Sequence, residues 1–158
     1  MRKIINYNEE KELAFPDGIY QYVYSNLFLH TIHIIIGFYC NMYLCSTGAI
    51  IIFITSINYW KKPVIKSFTR KIDMTCVFII VPYHYYLSFY TTNKIVSSGM
   101  MTIGILNYPL SIYFHNIQYI KTSALCHCLL HIFVSIGCSF MYHNYYTEKN
   151  GCKWDINC

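Results

Sequence analysis

Apolar positions in this chain run in long blocks from which charge is missing. No Asp, Glu, Lys or Arg occurs between Gly18 and Trp60, and three more charge-free stretches follow, from Met74 to Asn93, Ile95 to Ile120 and Thr122 to Thr147. Each reaches the roughly 18 to 20 residues that carry a helix across a hydrocarbon core about 30 Å thick. Asn, Ser, Thr, His and Tyr are mixed into all four stretches, which suits helices that are stabilised by their neighbours rather than by lipid alone. The pattern predicts an all-α, polytopic transmembrane helix bundle of about five helices, with four as the alternative.

The block from 19 to 60 is about 42 residues long, enough for two helices at 1.5 Å per residue with little room for a loop. It divides near Asn41, giving helix one at about 21 to 40, a tight turn at Cys40-Asn41 and helix two at about 43 to 60. An interfacial helix over IYQYVYSNLF followed by one long span is the other division. Helix three is expected at about 72 to 91 with a kink at Pro82, and helix four at about 96 to 115 with Pro109 near its inner end. Helix five is expected at about 122 to 143, where Ser135, Gly137 and Ser139 would let a neighbour approach closely. Residues 1 to 18 form a polar N-terminus ending in the turn signal Pro16-Asp17-Gly18, residues 19 to 143 the bundle, and residues 144 to 158 a short polar tail. The first apolar region is too long for a signal-peptide core and lacks a small-residue cleavage site, so it reads as an uncleaved anchor.

Charge orients this scheme. The loop KKPVIKSFTRK, residues 61 to 71, holds Lys61, Lys62, Lys66, Arg70 and Lys71, almost half of the chain's 12 basic residues. Short basic loops stay cytosolic, which puts the N-terminus in the cytosol and, with five helices, the C-terminus on the other side. Five cations beside a membrane would also attract anionic lipid headgroups at about 1 kcal/mol each. Nucleic acid is excluded as a partner, because the formal charge of +5 sits on one membrane-proximal loop with no folded domain to present it. With 55% hydrophobic and only 12% charged residues, against roughly a quarter charged in soluble domains, the composition agrees. Of the eight cysteines, six lie in or near spans, where a thiol is a small apolar residue. Cys152 and Cys158 in the tail are candidates for a disulfide outside the cytosol.

An ionisable residue within a membrane costs several kcal/mol unless paired or hydrated, which makes it a functional candidate by default. The candidates are Ser56, Asp73, His84, His127, His131, His30 and His33. His127 and His131 are four apart, so both rings project from one helical face at the spacing with which a helix offers two ligands to one metal. His30 and His33 share a face as well. Ser56, Asp73 and His127 fall near the cytosolic ends of their helices, and His33, His84 and His131 form a second layer nearer mid-membrane, the makings of a polar channel or a buried site. Each also has a plain structural reading, since such residues bond across to other helices, and Asp73 at a helix start can be an ordinary cap.

Ser56, Tyr59, Trp60, Arg70, Lys71, Ile72 and Asp73, with His84 and the HCLLH run, resemble a pattern in uncharacterised multi-pass membrane proteins of large DNA viruses. That resemblance implies a host or virion membrane and no known activity. More distantly, Ser56, Asp73, His127 and His131 are similar in order to the ceramidase and progestin-receptor-like membrane hydrolases. This implies a zinc-dependent lipid amidase or hydrolase in which Ser56 and Asp73 are catalytic and His127 and His131 hold the metal. The family's helix-two zinc ligand corresponds to Trp60, whose indole cannot ligate zinc, and His84 would be the substitute. Two of the family's seven helices are also missing.

The function expected from all this is a non-enzymatic structural or accessory membrane component, self-associating or associating with other membrane proteins, with no cofactor. A degenerate zinc-dependent lipid hydrolase and a small channel or proton pathway are the alternatives.

Overall fold

A computed structural model describes residues 13–150 of the chain; the candidate disulfide of Cys152 with Cys158 lies outside the described residues. The described part is all-helical. The first of five rods consists of α1 (Ile19–Asn26), a 3-10 turn at Leu27–Leu29 and α2 (His30–Tyr39), and the others are α3 (Tyr43–Trp60), α4 (Phe68–Ser88), α5 (Lys94–Asn116) and α6 (Ile120–Asn150).

Local chemistry sets most of the boundaries. The chain reverses between α2 and α3 at Asn41, whose φ of 58° is the left-handed conformation that Asn tolerates better than most residues. Gln118, at φ 65°, does the same between α5 and α6. Helix α4 begins at Phe68, about four residues earlier than the charge pattern suggests, because the Ser67 hydroxyl accepts the Arg70 backbone N–H at 3.2 Å and caps the helix. Helix α6 runs past 143 to Asn150. Its last turns remain packed there: the ring of Tyr146 lies 6.1 Å from that of Tyr39, and the Glu148 carboxylate accepts from the backbone N–H and hydroxyl of Thr92 in the α4–α5 turn.

Helix α6 is the axis of the molecule, touching α1, α2, α4 and α5, and its interface with α5 is the largest. Glycine makes that closeness sterically feasible. A Cβ on Gly104 would lie 2.8 Å from Val134 Cγ2 and 3.0 Å from Val134 N, and one on Gly137 would lie 2.9 Å from Ser97 O and 3.0 Å from Met101 N. At the turn end, the Ser111 hydroxyl donates to Ser123 O at 2.9 Å and the Ser123 hydroxyl to Ser111 O at 2.7 Å. By contrast α4 meets α5 only sparsely.

The distribution of side chains is inverted relative to a water-soluble fold. Ile35, Leu44, Phe78, Ile79 and Ile95 lie on the outside, Ile95 being 82% exposed, while Ser46, Ser56, Asp73, Ser97, Ser111, Ser123 and four histidines are buried. Three helices, Tyr43–Trp60, Lys94–Asn116 and Ile120–Lys149, are long and apolar enough to cross a membrane. Helix α4 is polar at its first turns, with Arg70, Lys71 and Asp73, and the first rod is divided by its 3-10 turn.

Candidate functional site

A cavity of about 830 Å³ lies among α2 to α6. Its walls are mostly apolar, from Val77, Phe78 and Val81 on α4 and from Ile105, Leu106 and Pro109 on α5. Phe78 and Leu106 are also 67% and 56% exposed, so the space reaches the outer face where α4 and α5 part. One end is closed by the chain preceding α1. Ala14 N–H donates to Pro63 O at 2.7 Å, His115 Nε2 donates to Ala14 O at 2.9 Å, and Phe15 stacks on Trp60 at 5.8 Å.

Three polar groupings face this cavity. The first joins α3 and α4. Ser56 donates to Asp73 Oδ1 at 2.6 Å, and the Thr55 hydroxyl shares its one proton between the same oxygen at 3.1 Å and Ile52 O at 3.0 Å. Asp73 is 5% exposed, and among the described residues its hydrogen-bond partners are these two hydroxyls. Arg70, one turn earlier, spends an Nη donor on Ile65 O at 2.9 Å instead. Sequential Thr55 and Ser56 reach one carboxylate oxygen because both can lean toward α4 from the last turns of α3.

The second grouping is a row of imidazoles. His127 and His131, one turn apart on α6, have ring centroids 5.0 Å apart; His131 and His30 are at 4.9 Å, and His30 and His33 at 5.1 Å. Two hydrogen bonds join α2 to α6 here, His30 Nε2 with His131 Nδ1 at 2.9 Å and His30 Nδ1 with the Ser135 hydroxyl at 3.3 Å. His33 Nδ1 and His131 Nε2 are buried without a hydrogen-bond partner among the described residues. A buried polar atom left unpaired costs about 1 to 3 kcal/mol, which makes these two nitrogens conspicuous.

The third grouping engages both nitrogens of His84 outside that row. Its Nδ1 lies 2.9 Å from Ile80 O, an acceptor, so Nδ1 carries the proton. Its Nε2 therefore accepts from the Tyr142 hydroxyl, 2.8 Å away.

Of the residues expected from the sequence, Ser56 and Asp73 are thus bonded to each other, His131 is bonded to His30, and His84 has both nitrogens engaged elsewhere. His127 lies against Trp60, with ring centroids 4.9 Å apart. These residues do not fit the zinc ion that the hydrolase resemblance implies. The indole packs against His127 with the two rings tilted by 56°, and among the described residues no three His, Cys, Asp or Glu side chains are grouped so as to hold a metal. Thr55 and Tyr142, which bond to the cavity-lining Asp73 and His84, are residues that sequence reasoning missed. Thr55 sits beside a singled-out serine, which was a usable signal, whereas Tyr142 is one of 17 tyrosines and nothing in the sequence marks it. No family model, no curated protein and no solved structure matches the chain.

Proposed function

We propose that this chain is a multi-pass membrane protein, accessory rather than catalytic, that holds an apolar, lipid-like ligand between α4 and α5. The observation that carries the reading is the cavity of about 830 Å³ whose lining residues Phe78 and Leu106 reach the outer face. Ligand sites are apolar concavities with a few convergent polar groups, and this one has an apolar gate and a polar floor. Its setting supports a bilayer. Large apolar side chains cover the outside, and the buried Ser, Asp and His side chains bond between helices, as membrane bundles require. On this reading the first rod and α4 cross with the three apolar helices, and Lys61, Lys62, Lys66 and Lys71, together with Arg70, lie against anionic headgroups on the cytosolic side.

The test uses the full chain in lipid nanodiscs with a photoactivatable alkyl lipid delivered through the bilayer. Cross-links are expected on α4 and α5 peptides facing the cavity, and Ile105→Trp, which fills it, is expected to abolish them. Cross-linking confined to outward residues and insensitive to Ile105→Trp would sink the reading, as would release of the chain from membranes by alkaline carbonate.

A further inference from the structure

Asp73 has one carboxylate oxygen to spare. Both hydroxyls that reach it bond to Oδ1, from Ser56 at 2.6 Å and from Thr55 at 3.1 Å, and among the described residues nothing bonds to Oδ2. His33 Nδ1 and His131 Nε2 are unpaired and sealed from any surface; Asp73 Oδ2 is unpaired but not sealed. The neighbouring hollow lined by Thr55, Asn58, Lys61 and Thr69 does not include Asp73. Asp73 lines the large cavity instead, and since the residue is otherwise buried, its free oxygen opens there.

The cavity continues from that oxygen along one face of α4. Asp73, Val77 and Val81 are spaced four apart, so they share a face, and all three line the cavity. The row spans about 12 Å at 1.5 Å per residue. Phe78 and Leu106 mark the opening to the outer face. An amphiphile in this passage sets its head group at Asp73 and its chain against Val77 and Val81.

The charge of the head group follows from the carboxyl group. The 2.6 Å bond from Ser56 is within the roughly 2.5 to 2.7 Å usual for a hydroxyl on an ionised oxygen, and a carboxylate among apolar walls is costly without a cation. Arg70 also lines the cavity, but it gives an Nη donor to Ile65 O at 2.9 Å and has no hydrogen bond to Asp73. An ammonium N–H supplies Oδ2 with both a donor and a counter-charge. A protonated Asp73 would form the same pair, because its O–H donates to a neutral amine and the two states differ only in where one proton sits. An alcohol can bond Oδ2 but leaves the charge uncompensated, and a fatty carboxylate adds a second negative charge beside the first. We infer that the site takes a long-chain amine, an alkyl chain whose ammonium group donates to Asp73 Oδ2. The inference rests on the lipid-cavity reading above.

The experiment is competition on the full chain in nanodiscs of zwitterionic lipid, whose surface does not concentrate a cation. A photoactivatable alkyl lipid is the probe, and hexadecylamine, hexadecan-1-ol, hexadecane and palmitate compete at matched mole fraction in the bilayer. Hexadecylamine is expected to displace the probe at about tenfold lower mole fraction than the other three, the scale of one hydrogen bond to a charged group. Asp73→Asn keeps an acceptor for Ser56 and Thr55 but no charge, and it is expected to bring the amine to the level of the alcohol. Equal displacement by amine and alcohol, with Ile105→Trp still blocking the label, would overturn the head-group assignment and leave the apolar cavity standing. Stronger displacement by palmitate would overturn it in favour of Arg70 as the head-group residue, and an amine preference that survives in folded Asp73→Asn would overturn the role of Asp73. A label indifferent to Ile105→Trp would instead remove the cavity reading itself. Should Asp73→Asn fail to fold, the wild-type order of the four competitors decides.

Discussion

The indole of Trp60 lies against the imidazole of His127, ring centroids 4.9 Å apart, one helical turn beyond Ser56 on the same face of α3. Of all the residues in the cavity, Trp60 does most to separate the two readings that the polar pattern allows. An imidazole here would face the His127–His131 pair and complete a three-histidine set of the kind that zinc takes up. The indole instead packs against the imidazole and donates at most one N–H. Trp60→His is therefore expected to raise the zinc content of the purified protein toward one equivalent, read by elemental analysis, and His131→Ala in the same background is expected to remove it. A Trp60→His protein that folds and stays metal-free would show that the three positions do not converge.

Asp73 gives a second test, because two hydroxyls bond one oxygen at different distances, 2.6 Å from Ser56 and 3.1 Å from Thr55. A hydrogen bond to a buried charged acceptor contributes about 1.5 to 3 kcal/mol and a weaker one less. Ser56→Ala is expected to lower the unfolding free energy in detergent by about 2 kcal/mol and Thr55→Ala by about half of that. In the Asp73→Leu background both losses should shrink toward zero. Equal losses with and without Asp73 would show that the hydroxyls matter through packing alone.

How much of this was legible in the sequence depends on whether the cause was local. The turn at Cys40-Asn41 could be read from length alone, since a charge-free block of about 42 residues must fold back near its middle, and α3 duly starts at Tyr43. The start of α4 could not be read from charge, because the Ser67 hydroxyl, within a basic loop, begins the helix before the last cation. Spacing also showed that His127 and His131 share a face. It could not show which helix they meet, and the partner of His131 is His30, 101 residues away, rather than His84. Register between helices is decided by close contacts such as Gly104 on Val134, and no periodicity within one helix encodes it.

The glycines of the α5–α6 interface make a matched prediction. Gly137 and Gly99 both lie inside long helices, yet a Cβ at Gly137 meets Ser97 O at 2.9 Å and Met101 N at 3.0 Å, whereas one at Gly99 meets nothing within 4 Å. Gly99→Ala should stabilise by about 0.5 to 1 kcal/mol, the helix-propensity gain of losing a glycine. Gly137→Ala carries the same gain but must push α5 off α6 against backbone atoms, and a net loss of about 1 to 3 kcal/mol is expected. Chemical unfolding of both variants in one detergent checks the contrast. Equal behaviour would mean that the two helices are not packed at this distance.

Ser111 and Ser123 close the same hairpin reciprocally, each hydroxyl donating to the other's carbonyl at 2.9 and 2.7 Å. Because Gln118 holds the turn between them in a left-handed conformation, the two bonds act on a chain reversal that is already formed, and neither should be needed for α5 and α6 to find each other. Hydrogen bonds between membrane helices average about 0.6 kcal/mol in double-mutant cycles. Each hydroxyl also sits 3.2 Å from the other, so removing one leaves its neighbour's donor bond intact but strips a polar contact from it. Ser111→Ala and Ser123→Ala are each expected to cost about 0.5 to 1 kcal/mol, and the double variant less than the sum, with a coupling of a few tenths. Strict additivity would show that the two bonds are independent and that the hydroxyl–hydroxyl contact contributes nothing.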